Sequence, residues 1–96
     1  IILLMPVNAF AERLTTNIDD VIIKNVECAS GNLWLVVSNK STLNLSKTLI
    51  VTVFDSDSDP VDNDSKNIVL GSVSGDRYTF WDITCSDKHS YAFRFQ

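Results

Sequence analysis

VIIKNVECASGNLWLVVS, residues Val21 to Ser38, reads as two β-strands joined by a tight turn. Val21 to Cys28 is rich in β-branched residues, Ala29-Ser30-Gly31-Asn32 carries turn chemistry, and Leu33 to Ser38 resumes an apolar run. That second run is apolar at consecutive positions, the pattern of a central strand covered on both faces. The pattern repeats further along the chain. Asn39 to Lys47 is a polar connection, and Thr48 to Phe54 (TLIVTVF) is strand-forming. The Asp-rich run from Asp55 to Lys66 reads as a long loop or hairpin end. Ile68 to Val73 then leads through a turn at Ser74-Gly75-Asp76 into a strand from Tyr78 to Cys85 (YTFWDITC). Ser86 to Lys88 turns again, and His89 to Phe95 closes with Tyr91, Phe93 and Phe95 alternating against Ala92 and Arg94. No segment sustains a helical period; Val7 to Leu14 is the one candidate.

Six strands at short spacing, seven if Thr15 to Ile18 pairs, predict an all-β fold. The expected architecture is a small immunoglobulin-like two-sheet sandwich of six or seven antiparallel strands with one disulfide. Ninety-six residues are one domain's worth of chain, which excludes a multidomain enzyme. The sandwich is assigned to residues 21–96, and residues 12–20 to a linker or extra strand. Residues 1–11 stand apart: an apolar run from Ile1 to Val7 precedes Ala9-Phe10-Ala11, an A-x-A site after which Glu12 starts a mature chain. This segment reads as a signal-peptide remnant, or as an apolar N-terminal segment that is retained. It is too short to span a bilayer, so no stable membrane span is expected in the mature chain.

Cys28 and Cys85 are the two cysteines, an even count in a chain that reads as exported. Two thiols and one histidine, His89, cannot build a four-ligand structural zinc site. The expectation is a Cys28–Cys85 disulfide. By strand alternation Cys28 shares a face with Ile22 and Val26, and Cys85 with Trp81 and Ile83. The bond closes a loop of about 58 residues, worth on the order of 4 kcal/mol in the chain-entropy model.

The net charge is −4, and five of the twelve acidic residues (Asp55, Asp57, Asp59, Asp62 and Asp64) fall within ten positions. The rest of the chain is close to neutral, so a basic footprint for nucleic acid is absent. Alternate Asp residues on a curved loop can converge on Ca²⁺, which makes these five the candidate metal ligands. The D-x-D-x-D opening matches a calcium loop of the EF-hand type, but Pro60 stands where that loop needs Gly and Lys66 where it needs a bidentate Glu. The chemistry is against tight calcium and for a solvated acidic loop; no other cofactor is expected. Asn39-Lys40-Ser41, Asn44-Leu45-Ser46 and Asn63-Asp64-Ser65 are glycosylation sequons placed in loops. Trp34, Trp81, Tyr78 and Tyr91 are expected chiefly in the core.

Leu33 to Phe80 resembles the FxLYD-type domains and similar small immunoglobulin-like modules of bacterial envelope proteins. The likeness rests on Leu35 to Ser41, a strand ending in Asn before a polar turn; on Ile50 to Asp55, a strand ending in an aromatic and an Asp; and on Ser74 to Phe80, a Gly turn feeding a Phe-bearing strand. The family's Asp-x-x-Gly turn after the third strand is replaced here by the longer Asp run. The resemblance implies a non-catalytic sandwich with no family-wide active site. The functional expectation is an exported, periplasmic or secreted, module for protein interaction or structural assembly, partnered by another protein or by itself. The alternatives are a fibre- or pilus-type subunit exchanging its N-terminal strand, and a calcium-dependent adhesion module using Asp55 to Asp64. No Ser-His-Asp spacing or phosphate loop points to an enzyme.

Overall fold

Ser30 and Gly31 both take positive φ, 54° and 79°. Two such residues in succession make the hairpin turn whose twist matches that of its strands, and Gly adopts this conformation without a steric penalty. They join β2 (Val21–Ala29) to β3 (Asn32–Asn39), with Ala29 opposite Asn32. The computed structural model describes residues 13–83, 85, 86 and 88–96. The apolar segment 1–11 lies outside the described residues, and of the helical candidate only Arg13 and Leu14 are described, as strand. β1 (Arg13–Thr15) pairs with β2, and β6 (Ser74–Phe80) pairs with β3, giving a four-stranded sheet in the order β1-β2-β3-β6. β4 (Leu45–Phe54) is flanked by β5 (Pro60–Leu70) and β7 (Ser90–Phe95) in a second sheet, β5-β4-β7. Every pairing is antiparallel.

The inner faces of the two sheets meet in one core. Leu33, Leu35 and Val37 from β3 and Leu49, Val51 and Val53 from β4 are all buried, as period-two alternation on central strands requires. Ile68, Phe80, Tyr91, Phe93 and Phe95 complete the core. The chain is therefore an all-β two-sheet sandwich, with seven strands among the described residues and one disulfide. In antibody constant domains the sheets hold strands 1-2-5-4 and 3-6-7; here the same layering carries a different connectivity. No helix among the described residues is long and apolar enough to cross a membrane.

Four expectations are corrected. First, the strand alternation around Cys28 is broken by a bulge between Lys24 and Glu27, where Asn25 has φ 54°. Asn tolerates this left-handed conformation, and a bulge re-aims everything that follows it. Val21 and Ile23 are buried before the bulge and Val26 after it, so Ile22 does not share the face of Val26 and Cys28. Second, of the two readings of the Asp run the hairpin end holds, but only over Asp55 to Asp59. The turn ends at Asp59, and Asp62, Asp64 and Lys66 are strand residues paired with Val53, Val51 and Leu49. Third, the turn expected at Ser74 to Asp76 lies at Gly71 to Val73. Gly75 is within the ladder, opposite Ser38, and a Cβ there would stand 3.1 Å from the Val37 carbonyl oxygen. Its role is close approach between strands. Val73 instead takes φ 50°, unusual for a β-branched residue, and its N–H donates to the Ser41 carbonyl at 3.0 Å. Fourth, the strand from Tyr78 stops at Phe80, so alternation does not carry through Trp81 to Cys85. Ile83 and Cys85 are buried, whereas Trp81 is 64% exposed.

Side chains tie the connections down. The Asn17 amide donates to the Phe95 carbonyl at 2.8 Å and accepts the Phe95 N–H at 2.7 Å, standing in for a strand partner at the free edge of β7. Tyr91 is buried, and its hydroxyl accepts the Ser86 N–H at 3.1 Å and donates to the Ser86 carbonyl at 3.2 Å. Burial raises the Tyr91 pKa above 10.0, the Ser86 hydrogen bond lowering it in part. Tyr78 is raised by burial and then by the charge of Asp76. A phenol whose folded pKa exceeds its unfolded value contributes stability that is fully present below pH 10 and lost as the pH rises through the folded value. Absorbance titration at 295 nm is expected to find both tyrosines ionising above the free-tyrosine midpoint in the folded protein. A normal midpoint for both would contradict this packing.

Candidate functional site

The acidic turn is organised by Asp55. One carboxylate oxygen, Oδ1, accepts the N–H groups of Asp57 and Asp59, both at 2.9 Å. The Asp55 N–H donates to the Asp59 carbonyl at 2.9 Å, and Ser58 closes the turn with φ 65°. This is the Asx-turn chemistry that Asp supplies locally. Pro60 then opens β5, a position where its missing N–H is tolerated. Asp62 and Asp64 each accept the N–H of the next residue, Asn63 and Ser65, at 2.8 Å. The five candidate ligands are thus divided between a turn and a strand. Among the described residues no group of three or more His, Cys, Asp or Glu side chains is placed to hold a metal ion.

Cys28 and Cys85 are brought together as expected, bonded with their Cα atoms 5.8 Å apart. The bond links β2 in one sheet to the crossover that carries the chain to β7 in the other. The sequons separate by environment. Asn39 is buried, with Nδ2 donating to the carbonyls of Leu43 (2.9 Å) and Gly71 (3.0 Å) and Oδ1 accepting the Ser41 N–H at 3.1 Å. A glycan on this nitrogen is incompatible with its burial and its two hydrogen bonds in the folded domain. Asn63 lies on β5 and not in a loop; Asn44 is in an exposed loop, where its Oδ1 accepts the Ser72 N–H at 3.1 Å. A cleft of about 480 Å³ at this end of the sandwich lies between Ile18, Asp20, Leu43 and Lys47. Asn39 lines it too, but both its amide donors are already engaged.

Two outer surfaces remain. On the four-stranded sheet the Arg77 guanidinium lies 4.4 Å from the centre of the Trp34 ring and pairs with Glu27 at 2.9 Å. Trp81 meets Trp34 edge-on, with centroids 5.9 Å apart and planes at 70°. Each contact contributes at most about 1 kcal/mol in so exposed a place, but together they fix a tryptophan at the surface. Of the four aromatics expected chiefly in the core, Tyr91 is buried, Tyr78 and Trp34 are half-buried, and Trp81 is exposed. Trp34 alternates outward between the buried Leu33 and Leu35, and Trp81 is exposed because the strand ends at Phe80, an end that alternation alone could not locate.

On the three-stranded sheet, Val69 is 72% exposed and Val61 52%. Both belong to β5, an eleven-residue edge strand. Asp62, Asp64 and Lys66 alternate in phase with the buried Ile68 and Leu70, so they point to the inner side at the sandwich margin. Inward charges on an edge strand limit indiscriminate strand addition.

These features define a disulfide-tied two-sheet β-sandwich with apolar side chains displayed on both outer surfaces. No family model, curated protein or solved structure matches the chain.

Proposed function

We infer that this chain is a non-catalytic exported β-sandwich module for protein interaction or structural assembly. The observation that carries the reading is the display of Trp81 and Val69, more than half exposed, on strands or strand ends of a cross-linked frame. Large apolar side chains held at a rigid surface gain the most when a partner covers them. The disulfide fits an oxidising compartment outside the cytosol. The resemblance of Leu33 to Phe80 to small envelope modules supports the same reading.

Photo-crosslinking tests it. A photoreactive phenylalanine analogue at position 81 or 69 of the exported protein is expected to give discrete protein adducts, and one at the exposed turn residue Asp57 is not. Adducts absent from both apolar positions, or equally frequent at position 57, would remove the basis for an interaction module.

A further inference from the structure

We propose that the free edge of β5 is a self-recognition surface, on which a second copy of this chain adds its own β5 antiparallel about a two-fold axis at Ser65. This deepens the interaction reading by naming the partner. The backbone comes first. Thr48 and Gln96 exchange both backbone hydrogen bonds, at 3.3 and 2.9 Å. Alternation in an antiparallel ladder then turns the backbone groups of Ile50 and Thr52 toward β7 and those of Leu49, Val51 and Val53 toward β5. Their partners Lys66, Asp64 and Asp62 therefore bond to β4, and Asn63, Ser65 and Asn67 present N–H and C=O groups to the free edge. The Asp62 and Asp64 carboxylates reaching the N–H groups of Asn63 and Ser65 agree with this: those donors are not used by β4.

The side chains then select a partner. Within residues 61–69, VDNDSKNIV, three of the four pairs about Ser65 are complementary (Asp64 with Lys66, Asn63 with Asn67, Val61 with Val69), and the fourth sets Asp62 opposite Ile68. A two-fold axis there sets Asp64 opposite Lys66 of the second copy twice over, Asn63 opposite Asn67, and Val61 toward Val69. Opposite-charge pairs directly across a ladder stabilise it, and like-charge pairs do the reverse. Moving the axis to Asn63 opposes Asp62 to Asp64, moving it to Asp64 opposes that residue to itself, and moving it to Lys66 opposes lysine to lysine. An axis at Asn67 gives no ion pair at all. Ser65 alone joins opposite charges without a like-charge clash while bringing together the exposed valines. The product is a continuous six-stranded sheet across two copies. Three effects oppose it: Asp64 and Asp62 must release the Ser65 and Asn63 N–H groups, Asp62 faces Ile68 of the second copy, and each copy carries a net −4, screened over about 8 Å at physiological salt.

Sedimentation equilibrium over roughly three decades of concentration, up to about 1 mM, reads the outcome. The wild-type weight-average mass is expected to rise toward twice the monomer value. Asp64→Lys and Lys66→Asp each replace attraction by repulsion and are expected to stay monomeric. The double variant Asp64→Lys/Lys66→Asp restores the pairs and is expected to dimerise again. Ser65→Pro removes an edge N–H that β4 does not use and is expected to be monomeric; should it fail to fold, the charge variants decide alone. A wild type that remains monomeric, a dimer indifferent to either single reversal, or a double variant that does not recover overturns the proposal. A monomer that still yields adducts at position 81 overturns self-pairing only, whereas loss of adducts at both positions removes the wider reading as well.

Discussion

Reducing the Cys28–Cys85 bond in the native protein is expected to lower the thermal unfolding midpoint by roughly 15–30 °C. The bond spans a sequence separation of 57. Releasing a loop of that size restores conformational freedom to the unfolded chain worth about 4 kcal/mol in the chain-entropy model. A domain this small has a total stability of only about 5–15 kcal/mol, and its midpoint moves about 4–8 °C per kcal/mol. The structure adds a local reason. The connection between β6 and β7 buries Ile83 and is held to the hairpin turn by the Cys85 N–H to the Gly31 carbonyl at 3.3 Å. The bond fixes this connection to β2, and without it the crossover is held by the burial of Ile83, the Cys85–Gly31 hydrogen bond and the Tyr91–Ser86 hydrogen bonds. Melting curves with and without a phosphine reductant measure the effect, and a Cys28→Ala/Cys85→Ala variant separates the covalent link from reductant effects. A fall of under about 5 °C in both would mean that the loop is already constrained in the unfolded state.

How much of this was legible in the sequence depended on whether the signal was local. The hairpin from Val21 to Ser38 was, because Ser30-Gly31 carries its turn chemistry in two adjacent residues. The disulfide was, because two cysteines leave one pairing. The Asn25 bulge was not: an inserted residue shows only in the register against β3, and it inverted the expected face of Ile22. Of β5 only the end from Ile68 was read as strand; its charged part from Pro60 to Asn67 was missed because an edge strand carries its charges at positions that would be apolar in a central strand. Asp62 and Asp64 therefore looked like loop residues, although β4 offers them a full ladder. The turn at Gly71 to Val73 was hidden for the opposite reason. Val73 has strong strand propensity, and tertiary hydrogen bonds from Val73 to Ser41 and from Asn39 to Gly71 hold the turn in place. At the candidate site the composition of the Asp run was visible but its geometry was not. Its near-symmetry about Ser65 gains meaning once residues 61–69 are known to be an edge.

Asn39→Asp is expected to destabilise the domain by about 3–5 kcal/mol at pH 7, more than Asn39→Ala. The side chain is 2% exposed and joins two connections at one end of the sandwich, through Leu43 in the β3–β4 loop and Gly71 in the β5–β6 turn. A carboxylate keeps the acceptor for the Ser41 N–H, but it replaces a donor to two carbonyls with an oxygen that repels both. Alanine loses the same bonds without burying a charge. The sign of the pH dependence follows. Burial and two facing carbonyls disfavour the ionised form, so the folded pKa of an aspartate here lies above its unfolded value of about 3.9. Its neutral form, which can still donate one hydrogen bond, supports the fold below that unfolded value. That support is lost as the pH rises through the folded pKa. Urea unfolding of wild type and both variants at pH 4 and pH 7 isolates the effect, because the difference from wild type cancels the ordinary carboxylates. The aspartate variant should approach or exceed the alanine variant at pH 4 and fall below it at pH 7. Equal stabilities at both values would mean that the loop opens to hydrate the carboxylate, and that Asn39 is not the tie between the two connections.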